Sequence, residues 1–220
     1  MRVVVGLIAG LGCAACGVDE KKHEGCDPAV VDVVSFDPGS GAGFGAALLP
    51  GIVQGLPTGD SDSQGSFDVV SLGEGGSITL EMGCPINDGE GVDFVVYENA
   101  FFIALPGEDN ELTEPLVFGE PAEVSVSVDG EEFVAFACTP NRQRDDGVNG
   151  CAGGAPVLAN ARNGLTGTPE GGGDGFDLAG LDVDDDLLSD GFGFVRIIDR
   201  GPGGAGDNVG FDLDAIAVVR

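Results

Sequence analysis

Gly91-Val92-Asp93-Phe94-Val95-Val96-Tyr97-Glu98-Asn99-Ala100-Phe101-Phe102 holds the densest run of core-forming residues in the chain. In an extended chain Val92, Phe94 and Val96 share one face, and Asp93, Val95 and Tyr97 share the other. A run this rich in β-branched and aromatic residues predicts a strand buried on most of its surface. Glu98 and Asn99 then place two oxygen donors at its exit, ahead of the apolar pair Phe101 and Phe102. A core strand that ends in a carboxylate and an amide marks either a turn or half of a site.

Further strands flank it on both sides. Towards the C-terminus, Glu120-Pro121-Ala122 leads into an alternation in which Val124, Val126 and Val128 are expected to face in and Ser125 and Ser127 out. Asp129-Gly130 predicts a hairpin into Phe133–Phe136. Towards the N-terminus, Phe67–Leu72 and Ser77–Met82 read as a second hairpin across Gly73–Gly76, with Ile78, Leu80 and Met82 pointing one way. Ala29–Phe36, Phe194–Asp199 and Gly210–Val219 complete the strands.

Gly-Phe-Asp-Leu occurs at Gly175–Leu178 and again at Gly210–Leu213. In each copy Phe and Leu should anchor one face while Asp177 or Asp212 emerges on the other. Asp212 and Asp214, two residues apart, are expected to share a face with Ile216 and Val218. No stretch keeps a helical period, and 40 Gly with 12 Pro supply turns, so helix should be scarce in these 220 residues.

The formal charge is −29, which excludes nucleic acid and anionic membrane surfaces as electrostatic partners and favours cations. Two stretches resemble the opening of calcium loops but fail as EF-hands. In Asp60–Gly65 the twelfth position falls on Ser71, and in Asp182–Asp186 Leu187 stands where Gly is needed.

Met1–Ala15 has a positive Arg2 and a short apolar core, Val3–Leu11, too short to anchor in a bilayer. It resembles a bacterial lipoprotein signal, with lipidation expected at Cys16; a plain secretory signal without lipid is the alternative. Modification at Cys16 leaves Cys26, Cys84, Cys138 and Cys151, an even set suited to an oxidising compartment. Gly17 after the lipidated Cys permits outer-membrane sorting, by resemblance to Gram-negative signals. Residues 16–28 form a polar tether that carries the only histidine, His23. Residues 29–220 are expected to form a single β-sandwich domain. Cys138 and Cys151 bracket a polar loop and favour a disulfide, which leaves Cys26 with Cys84; the other pairings stay open. Outside the signal-like segment no Cys-x-x-Cys pattern supports zinc.

Asp68–Gly73, Gly75–Leu80, Asp93–Phe101, Glu120–Ala122, Val126–Gly130 and Gly210–Ala217, in this order, resemble the motifs of a poorly characterised family of secreted bacterial cell-surface proteins. The resemblance covers about Ser66 to the C-terminus. It implies an all-β antiparallel sandwich, jelly-roll-like, at the cell surface, and implies no activity. Many members carry a C-terminal sorting tail; here a core-like strand runs to Arg220, so attachment is expected to rest on the N-terminal lipid.

Three functions compete. In the first, Glu98, Asn99, Glu120, Asp174, Asp177, Asp212 and Asp214 converge at one edge of the sandwich around Ca²⁺, a hard cation taking six to eight oxygens. The domain is then a non-catalytic binding or adhesion module with a surface glycan or an envelope protein as partner. In the second, Glu98 with Asp177 or Asp212 serves a carboxylate-dependent hydrolase. No Gly-x-Ser-x-Gly elbow, phosphate loop or histidine triad supports catalysis. In the third, the sandwich is a structural envelope protein without a small ligand.

Overall fold

A computed structural model describes residues 25–59, 66–103, 116–139, 150–201 and 210–219. Met1–Ala15, Cys16, His23 and Asp60–Gly65 lie outside the described residues. Eleven strands follow one another among the described residues. They are β1 (Val30–Asp37), β2 (Val70–Ser71), β3 (Ser77–Ile86), β4 (Phe94–Glu98), β5 (Phe101–Ile103) and β6 (Leu116–Phe118). The rest are β7 (Ala122–Ser127), β8 (Val134–Ala135), β9 (Asp174–Phe176), β10 (Phe192–Asp199) and β11 (Asp212–Val218). One five-residue helix, α1 (Asp185–Ser189), and short 3-10 turns supply the helix among the described residues.

Every strand pair is antiparallel. One sheet has the order β1-β3-β10-β7-β8, a second β2-β11-β4-β9, and β5 pairs with β6. The two larger sheets pack together through one core in a sandwich-like arrangement. Ile78, Leu80, Val124, Val126, Val195 and Ile197 of the first meet Phe94, Val96, Phe176, Leu213, Ile216 and Val218 of the second. Phe94 stacks on Phe176 with ring centroids 5.2 Å apart.

All five residues of β4 are buried, as its composition predicted. Two different layers bury it. Phe94 and Val96 enter the main core, while Val95 and Tyr97 face a second cluster with Val157, Ala159, Ala215 and Ala217. The irregular segment after Cys151 thus covers the outer face of the smaller sheet. Gly167 N–H donates to the Tyr97 hydroxyl at 2.7 Å. Gly173, at φ +75°, lies so close that a Cβ would meet the Tyr97 ring at 2.7 Å.

Both expected disulfides are present, Cys26–Cys84 and Cys138–Cys151. The Asp129-Gly130 hairpin also forms. β7 pairs with β8, and Asp129 accepts from Glu131 N–H at 2.8 Å and Glu132 N–H at 3.0 Å.

Four expectations are overturned. Phe67–Leu72 and Ser77–Met82 do not form a hairpin, because β2 pairs with β11 and β3 with β1 and β10. The four-residue glycine turn carries the chain from one sheet to the other. Ser125 and Ser127 are buried and Val128 is 36% exposed. The outward face of β7 is covered locally, with Ser125 Oγ donating to the Arg196 carbonyl and Arg196 standing 3.7 Å above the Phe133 ring. Val92 is exposed just outside β4. Finally, a bulge between Leu213 and Ala215 lets Leu213, Ile216 and Val218 all reach the core. Ile216 and Val218 therefore do not share the face of Asp212 and Asp214.

Candidate functional site

The register of β4 against β9 sets Phe94 opposite Phe176, so the next residues outward, Asp93 and Asp177, become neighbours. Asp93 N–H donates to the Phe176 carbonyl at 2.8 Å, and its own carbonyl accepts from Val219 N–H at 2.7 Å. The backbone is thereby clamped. Asp88, in the turn after β3, completes a trio with Asp93 and Asp177 whose ligating oxygens all lie within 4.8 Å of one another. Asp93 is fully buried, Asp177 half-buried and Asp88 exposed.

Two of the oxygens are already engaged. Asp93 Oδ2 accepts from Leu178 N–H at 2.8 Å, and Asp177 Oδ1 accepts from Ala179 N–H at 2.9 Å as it caps a 3-10 turn. Asp93 Oδ1 is buried and has no hydrogen-bond partner among the described residues. A lone buried carboxylate oxygen is costly unless a proton or a cation meets it. Burial raises the Asp93 pKa, Leu178 N–H opposes this, and the charges of Asp177 and Asp88 raise it further. The trio can hold a metal ion, with Asp88 at the solvent side.

A second carboxyl group gathers at the opposite end of β4. Glu98 is 1% exposed, and its Oε2 has no partner. Burial pushes its pKa well up, and the charges of Asp212, Glu120 and Asp174 add to that. The neighbours are held by glycine-rich backbone. Glu120 Oε1 accepts from Gly210 N–H at 2.7 Å, and burial raises its pKa to about 7. Asp174 Oδ2 accepts from Gly153 N–H at 2.7 Å and Gly154 N–H at 3.0 Å, yet burial raises it to about 6. Asp199 accepts from Gly201 N–H and from Phe211 N–H. Burial raises the Asp212 pKa and the neighbouring Ser71 and Asn99 side chains oppose this, while Asn99 Oδ1 accepts from Ser66 N–H. The only salt bridge among the described residues, Arg200–Glu123, lies outside this group.

Of the seven candidate ligands, Glu98, Glu120, Asp174 and Asp212 feel one another's charges and Asn99 adjoins Asp212. Among the described residues, however, they do not bring three ligating oxygens within 4.8 Å as the Asp88–Asp93–Asp177 trio does, and Asp177 and Asp214 lie elsewhere. Asp177 belongs to the trio at the other end of β4. Asp214 accepts from Thr58 N–H at 3.0 Å, and burial raises its pKa to about 7. Asp88, Asp93 and Asp199 escaped the sequence reading. Asp93 and Asp177 are 84 positions apart, and only strand register joins them.

No protein-family model matches the chain, and no curated protein matches it. The site is therefore read from its own chemistry.

Next to the Glu98 group opens a cavity of about 530 Å³. Phe44, Phe67 and Phe101 form apolar walls, and Ser71, Asn99 and Asp212 a polar side.

Proposed function

We infer that the protein is a non-catalytic β-sandwich binding module, stabilised by Ca²⁺ and exported to the cell surface or outer membrane as a lipoprotein anchored at Cys16. The observation that carries the calcium reading is the Asp88–Asp93–Asp177 trio with the buried, partnerless Asp93 Oδ1. All its ligating atoms are carboxylate oxygens, the donor type of a hard cation. Asp88 at the surface leaves room for water among the six to eight ligands that calcium takes. The jelly-roll wiring belongs to the same reading. The chain alternates between the sheets through β2, β3, β4, β7, β9, β10 and β11, as such sandwiches do. The resemblance to secreted surface proteins and the signal-like Met1–Ala15 support export.

Thermal unfolding in Ca²⁺, with Mg²⁺ at equal ionic strength as control, tests the metal. A site present only in the folded state adds about 2.7 kcal/mol at a hundred times the dissociation constant. Ca²⁺ should raise Tm beyond the Mg²⁺ shift, and Asp93→Asn should abolish the difference. Equal shifts with both ions would reduce the effect to screening of the −29 charge. Mass spectrometry of the mature N-terminus checks the anchor, with an acylated Cys16 expected.

A further inference from the structure

The cavity beside Glu98 has features that fold stability does not require. Phe67 is 87% exposed and Phe44 53% exposed, so two aromatic rings stand largely in water at its rim. Exposed apolar surface beside a cavity marks a binding surface more often than a structural one. The polar side is acidic. Asp212 lines the cavity, and the charges of Glu98, Glu120 and Asp199 act from behind its wall. A phosphate or carboxylate ligand would be repelled here. A neutral apolar ligand would leave the polar side formed by Ser71, Asn99 and Asp212 unmatched.

We propose that this cavity binds a small primary amine carried on an apolar chain. The ammonium group sits on Asp212 and presents its remaining protons to Asn99 and Ser71. The carbon chain lies against Phe44, Phe67 and Phe101. Three features select this chemistry. A primary ammonium carries three donors and no acceptor, matching a side lined by a carboxylate, an amide and a hydroxyl. Aromatic faces attract a cation and cover its alkyl stem. A volume of about 530 Å³ fits a small molecule and falls within the usual range for ligand pockets. The proposal rests on the reading of the domain as a binding module and names a ligand class for it. It does not depend on the calcium trio, which lies at the other end of β4.

Calorimetric titration of the folded chain with n-hexylammonium and with 1-hexanol, at fixed ionic strength, tests it. One saturable hexylammonium site is expected, with hexanol at least about tenfold weaker, as loss of a charge-assisted hydrogen bond implies. Phe67→Ala should weaken hexylammonium about two- to fivefold, the range of an exposed cation–π contact. Because Phe67 is exposed, that variant keeps its fold, whatever Asp212→Asn does to folding. Asp212→Asn should lose about tenfold or more. Hexanol binding as tightly as the amine, an unchanged Phe67→Ala, or calcium stabilisation without any saturable amine site would each overturn the proposal.

Discussion

At the residue scale the protein inverts the usual role of carboxylates in stability. Glu120 and Asp214 are raised to about 7 and Asp174 to about 6, each first by burial. A carboxyl whose folded pKa exceeds its unfolded value takes up a proton on folding. Its contribution to stability is full below the unfolded pKa, and is lost as pH rises through the folded value. In chelator, the urea midpoint should therefore fall between about pH 4.5 and 7.5, where most domains gain or hold stability. Glu120→Gln, which keeps the acceptor for Gly210 N–H, should flatten that slope. An unchanged slope in Glu120→Gln would show that Glu120 titrates normally. Asp129 runs the other way. Hydrogen bonds from Glu131 N–H, Glu132 N–H and the Ser127 hydroxyl lower its pKa, so the stability it gives its turn is lost as pH falls through the folded value.

At the element scale, β4 shows how a strand in an antiparallel sheet becomes buried on both faces. One face meets the opposite sheet, and the other is sealed by a segment without regular structure. That seal depends on single contacts. Tyr97→Phe removes the hydroxyl that accepts from Gly167 N–H and leaves this donor without its acceptor. It should cost about 1–3 kcal/mol in urea unfolding. A loss below about 0.5 kcal/mol would mean that solvent already satisfies Gly167. The bulge in β11 is the second local device. Ile216, fully buried because of it, should cost about 2–5 kcal/mol as Ile216→Ala.

At the scale of the whole molecule, two disulfides tie distant segments to the sandwich. Cys26–Cys84 spans 58 residues and Cys138–Cys151 spans 13. On the chain-entropy account their removal as Ser pairs should cost about 4 and about 3 kcal/mol, so the first pair should matter more. Comparing the two double variants by urea unfolding checks the order. Much of this architecture was legible in one dimension. Strand periodicity, the buried character of Phe94–Tyr97, the Asp-Gly hairpin and the disulfide partners follow from residue type and spacing, which act over a few positions. Carboxylates beside glycine at strand ends were legible as candidates, and Glu98, Glu120, Asp174 and Asp212 do feel one another's charges, but not as the expected ligand cage. Three features were not. The Gly73–Gly76 turn has hairpin composition, yet its two flanks pair in different sheets, a choice made by the hydrophobic faces that each strand must bury. The bulge at Asp214 breaks the two-residue period, so reading alternate residues assigned Ile216 and Val218 to the wrong face. The Asp88–Asp93–Asp177 trio owes its existence to β4–β9 register, since strand pairing, unlike spacing, brings residues together without regard to their distance along the chain. Residue type and spacing settle which segments extend and which side chains leave water. Which carboxylates meet depends on register, sheet choice and one extra residue in a strand, none of which local spacing encodes.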